Sequence, residues 1–215
     1  MDEYKQYVYA QLKGITEAPD VVLEGCEWYI NELLKWNRSI NLTSVTTPRE
    51  CWEKHIQDSL LALPYMCAAQ NMLDIGSGAG IPAIPLKLSC PNLHVVAVDK
   101  VRKKINFQNH CKRQLKLHKF EAICANITTL NRFEHTFDVV IARALAPLET
   151  IIKLGAIYVK PGGILLALKG HVDKGELEAG MGEAQSYALA LEQTLETALQ
   201  PSMAKRKILI WRRES

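Results

Sequence analysis

Little in this sequence points to metals, membranes or export. Its six cysteines, Cys26, Cys51, Cys67, Cys90, Cys111 and Cys124, are scattered. They form no C-x-x-C pair, and no histidine stands at zinc-ligand spacing, so no metal site is expected. Reduced, mostly buried thiols of a cytosolic protein are the reading that fits. No apolar run approaches the roughly 18 residues of a membrane span. The start, MDEYKQYVYA, is acidic where a signal peptide would be basic and then apolar. A soluble, cytoplasmic chain without a membrane partner follows as the expectation. Charge of one sign is scarce too: 26 Lys and Arg against 23 Asp and Glu leave a net charge of +3. Composition alone therefore announces no nucleic-acid binder. Repeats, low-complexity tracts and interdomain linkers are also missing, so 215 residues suit one compact domain, expected to act as a monomer.

What is present is the balance of a globular protein, 48% apolar and 23% charged. Basic residues gather at Lys100, Arg102, Lys103 and Lys104, at Lys112, Arg113, Lys116 and Lys119, and at Lys205, Arg206, Lys207, Arg212 and Arg213. Phosphate-binding surfaces look like this, and so do solvated helix faces.

The first third reads as helical. Val22, Leu23, Cys26, Tyr29, Ile30, Leu33 and Leu34 recur at helical spacing, with Asp20 a candidate N-cap. Asn37 to Thr46 has no helical period and reads as a loop. Thr47-Pro48-Arg49-Glu50 is a capping box with proline at the first helical position. Trp52, Ile56, Leu60 and Leu63 make the apolar face that follows, and Pro64 marks its end. From about residue 71 strands alternate with helices: Met72 to Ile75, His94 to Asp99, Phe120 to Cys124, Phe137 to Ala142 and Ile164 to Leu168. Apolar runs with little alternation suit strands buried on both faces of a parallel sheet. The tail predicts an antiparallel pair, Thr194 to Leu199 with Lys207 to Trp211. Gly180-Met181-Gly182 reads as a loop.

Where the first strand ends, Asp74-Ile75-Gly76-Ser77-Gly78-Ala79-Gly80 supplies a turn that lets a ligand approach the backbone closely. The dinucleotide pattern G-x-G-x-x-G fails, because Ile81 holds the third glycine's place, and no Gly-Lys-Ser/Thr follows for a Walker loop. Asp74 would repel a pyrophosphate and attract an ammonium group. Asp99, at the end of the second strand, can accept two hydrogen bonds from a ribose diol. An adenosine carrying a cationic amino acid satisfies all three, and that is S-adenosylmethionine.

Four segments then carry a resemblance over most of the chain: Asn37 to Val45 (NRSINLTSV), Lys54 to Leu60 (KHIQDSL), Leu73 to Leu86 (LDIGSGAGIPAIPL), and Ala142-Arg143-Ala144 with Ala167 to Gly170. In these the sequence resembles the RsmG (GidB) family. The resemblance implies a class I S-adenosylmethionine-dependent methyltransferase, an α/β, Rossmann-like fold with a mostly parallel seven-stranded sheet. An N-terminal helical extension (residues 1–66) would precede the methyltransferase core (67–215). It also implies methyl transfer to N7 of a guanine in small-subunit (16S) ribosomal RNA, free or in a ribosomal particle. Cofactor contacts carried over by position fall on Gly76 and Ile81, on Ile127 and Thr128, and on Arg143, beside Asp74, Gly78, Gly80 and Asp99. At Ala125-Asn126-Ile127-Thr128 the chain departs from the family, whose members often carry an arginine and then an acid. A threonine hydroxyl replaces a carboxylate acceptor there.

Guanine N7 has a free lone pair and no proton, so attack on a sulfonium methyl needs no general base. Rate then comes from positioning and desolvation. Consistently, the fourth strand runs into Arg143-Ala144-Leu145, without an Asn/Asp-Pro-Pro-aromatic motif for an exocyclic amine or a Pro-Cys nucleophile for carbon methylation. Arg143 is expected to orient cofactor and base through one donor to O6, the alternative being a structural ion pair. His55 and Asp58, three apart, read first as a structural pair tying helix to loop; the alternative sets both, with Asn41, at the cofactor or substrate entrance. Lys169 meets RNA phosphate in one reading and solvent in the other. Rival readings are a nucleotide-dependent oxidoreductase, a non-catalytic RNA binder and a small-molecule methyltransferase.

Overall fold

A computed structural model describes residues 2–214. Helix α1 (Glu3–Leu12) and the long helix α2 (Pro19–Ile40) come first. The next helix runs as α3 (Pro48–Cys51), a π-helical turn (Trp52–Gln57) and α4 (Asp58–Leu60). Strands and helices then alternate: β1 (Asn71–Ile75), α5 (Ala83–Ser89), β2 (His94–Asp99), α6 (Arg102–Gln114), β3 (Phe120–Cys124), β4 (Phe137–Arg143), α7 (Leu148–Gly155) and β5 (Val159–Lys169). Helix α8 (Lys174–Gln185) and the hairpin β6 (Leu189–Ala198), β7 (Lys205–Arg213) close the chain. No helix among the described residues is long and apolar enough to cross a membrane.

The seven strands form one sheet in the order β3-β2-β1-β4-β5-β7-β6. β1 to β5 pair in parallel, and β7 runs antiparallel to both its neighbours. Each parallel strand carries apolar residues on both faces because helices cover both. One buried cluster joins α1, α2 and the helix from Pro48 to one sheet face through Leu12, Tyr29, Ile56, Met72 and Val95. The other joins α7 and α8 to the opposite face through Leu73, Val140, Ile152, Leu165 and Trp211. β6, at the edge, is mostly exposed, shifts register between Leu191 and Gln193, and carries Glu192 and Glu196. Bulges and charges of this kind blunt edge-to-edge pairing.

Four local expectations shift. Helix α2 starts at Pro19, which leaves Asp20 in its first turn, where a carboxylate still favours the helix dipole. It also continues through Asn37 to Ile40. The Asn37 side chain accepts from Leu42 N (2.6 Å) and Thr43 N (2.9 Å) and donates to Thr43 O, so it closes the helix end without breaking the helix. Gly180-Met181-Gly182 lies inside α8. A Cβ on Gly180 would stand 3.0 Å from Leu148 Cβ, so this glycine serves close packing of α8 on α7. Of the cysteines, Cys26, Cys51 and Cys111 are buried, whereas Cys67 is exposed.

Candidate active site

The carboxyl ends of β1 and β2 meet at the glycine loop. Gly76 N and Ser77 N both donate to Val98 O, at 2.9 and 3.0 Å, and Gly80 N and Ile81 N both return to Ser77 O. The turn demands positive φ at Gly76, Gly78 and Gly80 (69°, 56° and 89°). At Gly80 a Cβ would also sit 2.5 Å from Ile84 Cδ1, so a larger residue forces that buried side chain to shift. Two side chains outside the motif brace the loop. Tyr29, from α2, donates to Ala79 O, and Gln108, from α6, donates to Ser77 Oγ and Gly78 O at 2.8 Å. Neither was legible as a functional position, because each is an ordinary buried residue of an amphipathic helix.

Asp99 takes Gly78 N on one oxygen (2.9 Å) and Val101 N on the other (2.8 Å), with Lys104 Nζ at 3.8 Å. Each oxygen keeps a lone pair for a further donor. A pocket of about 490 Å³ opens beside it. Of the expected cofactor residues it takes in Gly76, Asp99, Ile127 and Arg143; Asp74, Gly78, Gly80, Ile81 and Thr128 stand outside its lining. Lys100, Lys104, Asn126 and Leu145 are among its other lining residues. Asp74 is buried behind the loop and accepts from Ala83 N (3.2 Å). Burial pushes its carboxyl up to about 7, against that amide and the nearby Arg143 charge, which pull it down. In the segment of residues 125–128, Asn126 accepts from Thr128 N (3.2 Å) and Tyr158 donates to Ile127 O (2.5 Å). Thr128 is exposed.

At the end of β4, Arg143 Nε donates to Asp58 Oδ2 (2.8 Å) and Nη2 to Lys54 O (2.5 Å). The second Asp58 oxygen accepts from Arg206 Nε, also at 2.8 Å. Asp58 is thus a buried carboxylate shared by two arginines, and the expected pairing with His55 is not made. His55 turns instead to Thr43 Oγ1, 3.0 Å from Nε2, while its Nδ1 is buried without a partner. Burial, helped by the Arg143 charge, lowers its pKa to about 4, so the ring is neutral near pH 7. The π-helical turn supplies further anchors. Glu53 accepts from Ser202, and Gln57 exchanges hydrogen bonds with the backbone of Gln200. Asn41, in left-handed backbone, lines a separate groove with Arg38 and Thr43. Lys169 donates to Ala146 O (2.8 Å) and pairs with Glu176 (2.7 Å), which holds the loop after β4.

The glycine loop, Asp99 and the pocket all lie at the carboxyl ends of parallel strands, where open α/β sheets bind ligands. The sequence profile of the family described as rRNA small subunit methyltransferase G matches residues 23–206. The chain belongs to that family. Ribosomal RNA small subunit methyltransferase G of Syntrophotalea carbinolica is 39% identical over 189 residues, 87% of this chain and 87% of that protein. Solved structures extend the likeness to the fold. A ribosomal protein L11 methylase from Lactobacillus delbrueckii subsp. bulgaricus superposes with a TM-score of 0.57 at 16% identity, covering 75% of this chain and 79% of that one. The [4+2]-cyclase SpnF gives 0.63 at 14% identity, covering 90% and 96%. The fold is that of class I methyltransferases, and a cyclase on the same scaffold shows why the reaction must be argued from the site.

Proposed function

We propose that this chain transfers the methyl group of S-adenosylmethionine to N7 of a guanine in small-subunit ribosomal RNA. Membership of the methyltransferase G family supports the substrate class. The observation that carries the cofactor is the pocket itself. The Gly76 backbone, covered by Leu145, stands on one side and the Asp99 carboxylate, with lone pairs to spare, on the other, in a volume of about 490 Å³. When bound, S-adenosylmethionine supplies an electrophilic methyl on a sulfonium sulfur. Asp99 would accept from the ribose hydroxyls, and the backbone of Gly76 and of Asn126-Ile127 would border the nucleoside. The acid of Asp74, poised near neutrality, would ionise beside an added positive charge.

No proton has to leave N7, and the residues around Arg143 suit that chemistry. His55, the nearby imidazole, is neutral but committed to Thr43 and buried. Arg143 spends Nε and Nη2 within the protein, and Nη1 makes no hydrogen bond among the described residues. One donor is what recognition of guanine O6 needs if the N7 lone pair is to stay open. Catalysis then rests on holding N7 about 3 Å from the methyl carbon in the attacking geometry. The test is transfer of isotope-labelled methyl from S-adenosylmethionine to small-subunit RNA and to assembled particles, with mass spectrometry of the nucleosides. Label in 7-methylguanosine is the expected outcome; label in another nucleoside, or none in either substrate, refutes the proposal.

A further inference from the structure

The topology sorts the basic clusters that the sequence leaves undivided. β7 runs antiparallel to β5, with Lys207 opposite Lys169 and Arg212 opposite Ile164. Its first residues, Lys205, Arg206 and Lys207, therefore lie at the same end of the sheet as the cofactor pocket, and Arg212 and Arg213 lie at the far end. Helix α6 is divided likewise. It begins beside the pocket, which Lys100 and Lys104 line, and it leads back to β3 past Arg113, Lys116 and Lys119. Those last three, though exposed, are a strand length away from the chemistry.

At that same end of the sheet, between the end of β5 and the β6–β7 hairpin, runs a groove of about 810 Å³. Its lining includes His171, Glu196, Lys205, Arg206 and Lys207. Glu196 is its one carboxylate, and it is taken by Lys207 at 3.0 Å. Lys205 is exposed and has no acidic partner among the described residues. Arg206 faces both ways. It lines the groove, yet its Nε is held by Asp58, whose other oxygen holds Arg143 in the cofactor pocket.

We infer that this groove binds the phosphodiester backbone of the RNA strand beside the target guanine. Asp58 sets the spacing between the strand and the reacting base. The inference rests on the RNA substrate proposed above. Surplus positive charge beside the site suits a polyanion and carries no base readout, so it positions the strand without reading its sequence. Asp58 touches neither RNA nor cofactor; it is a positioning residue, acting through two arginines fixed on different strands.

The test measures binding of a small-subunit ribosomal RNA fragment between 50 and 300 mM salt, on the order of the range where phosphate contacts dominate. Three proteins are compared: the unaltered chain, Lys205→Ala/Lys207→Ala, and the far-end control Arg113→Ala/Lys116→Ala. The groove variant should bind about tenfold more weakly at low salt, with the slope of log affinity against log salt reduced by about 1 for each phosphate left without its lysine. Its KM for RNA should rise, and its S-adenosylmethionine affinity, read by calorimetry, should hold. Unchanged RNA affinity and slope in the groove variant, or an equal loss in the control, overturns the inference. An unaltered chain that binds RNA through this groove yet transfers no methyl would sink the proposed reaction and leave the groove standing.

Discussion

Replacing Asp58 by asparagine tests the bridge between β4, β7 and the π-helical turn. The side chain of Asp58 is 5% exposed, and those of Arg143 and Arg206 are 16% and 17% exposed. Each guanidinium lies 2.8 Å from its own carboxylate oxygen. At an effective dielectric near 20 and a charge separation of about 4 Å, each pair gains about 4 kcal/mol, and desolvation offsets much of it. Asparagine keeps the shape but can accept from one arginine only, and it turns an NH2 toward the other. Two partly buried cations would then stand without their anion, which costs about 3–5 kcal/mol. For a chain of this size each kcal/mol lowers Tm by roughly 2–4 °C, so a fall of about 10 °C is expected. Urea and thermal unfolding measure both. A double-mutant cycle with Asp58→Ala and Arg206→Ala should return a coupling of about 1–3 kcal/mol. Because Arg143 loses its orientation, RNA methylation at saturating cofactor should fall on the order of tenfold to a hundredfold. A stability loss below about 1 kcal/mol with no coupling would falsify the bridge as described.

Two further outcomes follow from the site. His55 has a folded pKa of about 4 against an ordinary 6.5, so the unfolded chain binds the extra proton between those values. Its contribution is intact above pH 6.5 and shrinks as pH falls toward 4, by about 3 kcal/mol in all; His55→Gln should flatten that part of the stability–pH curve, and an unaltered curve would refute the assignment. At Gly80, alanine meets both a φ of 89° and Ile84 Cδ1 at 2.5 Å, which together cost about 2–5 kcal/mol. Gly78→Ala, whose added Cβ meets nothing nearer than Gly76 O at 4.0 Å, should cost about 1–2 kcal/mol; equal losses measured by urea unfolding would contradict this account of the turn.

The parallel strands were legible because burial on both faces leaves their middles apolar, as at Val95–Val98 in β2 and Val139–Ala142 in β4. The glycine loop was legible because its backbone needs one residue type at set spacing. Side chains whose partners are distant in the chain were not. Asp58 finds Arg143 85 residues on and Arg206 148 residues on, and nothing local announces either. Its nearest candidate, His55, sits in a π-helical turn that rotates the two side chains toward different partners. Gly180 misled for the opposite reason: a glycine required by helix packing carries the same letter as one required by a turn. Asn37 read as a loop residue because its hydrogen-bond partners, Leu42 and Thr43, lie beyond the end of the helix that contains it.

The N7 assignment can be put to one measurement that changes a single ring atom of the acceptor. Small-subunit ribosomal RNA transcribed with 7-deazaguanosine in place of guanosine keeps every O6, every phosphate and the Watson–Crick edge, but has carbon where N7 stood. It should bind this protein as unaltered RNA does and accept no methyl group from S-adenosylmethionine. Undiminished transfer to the deaza RNA would place the methyl elsewhere and contradict an active site built without a general base.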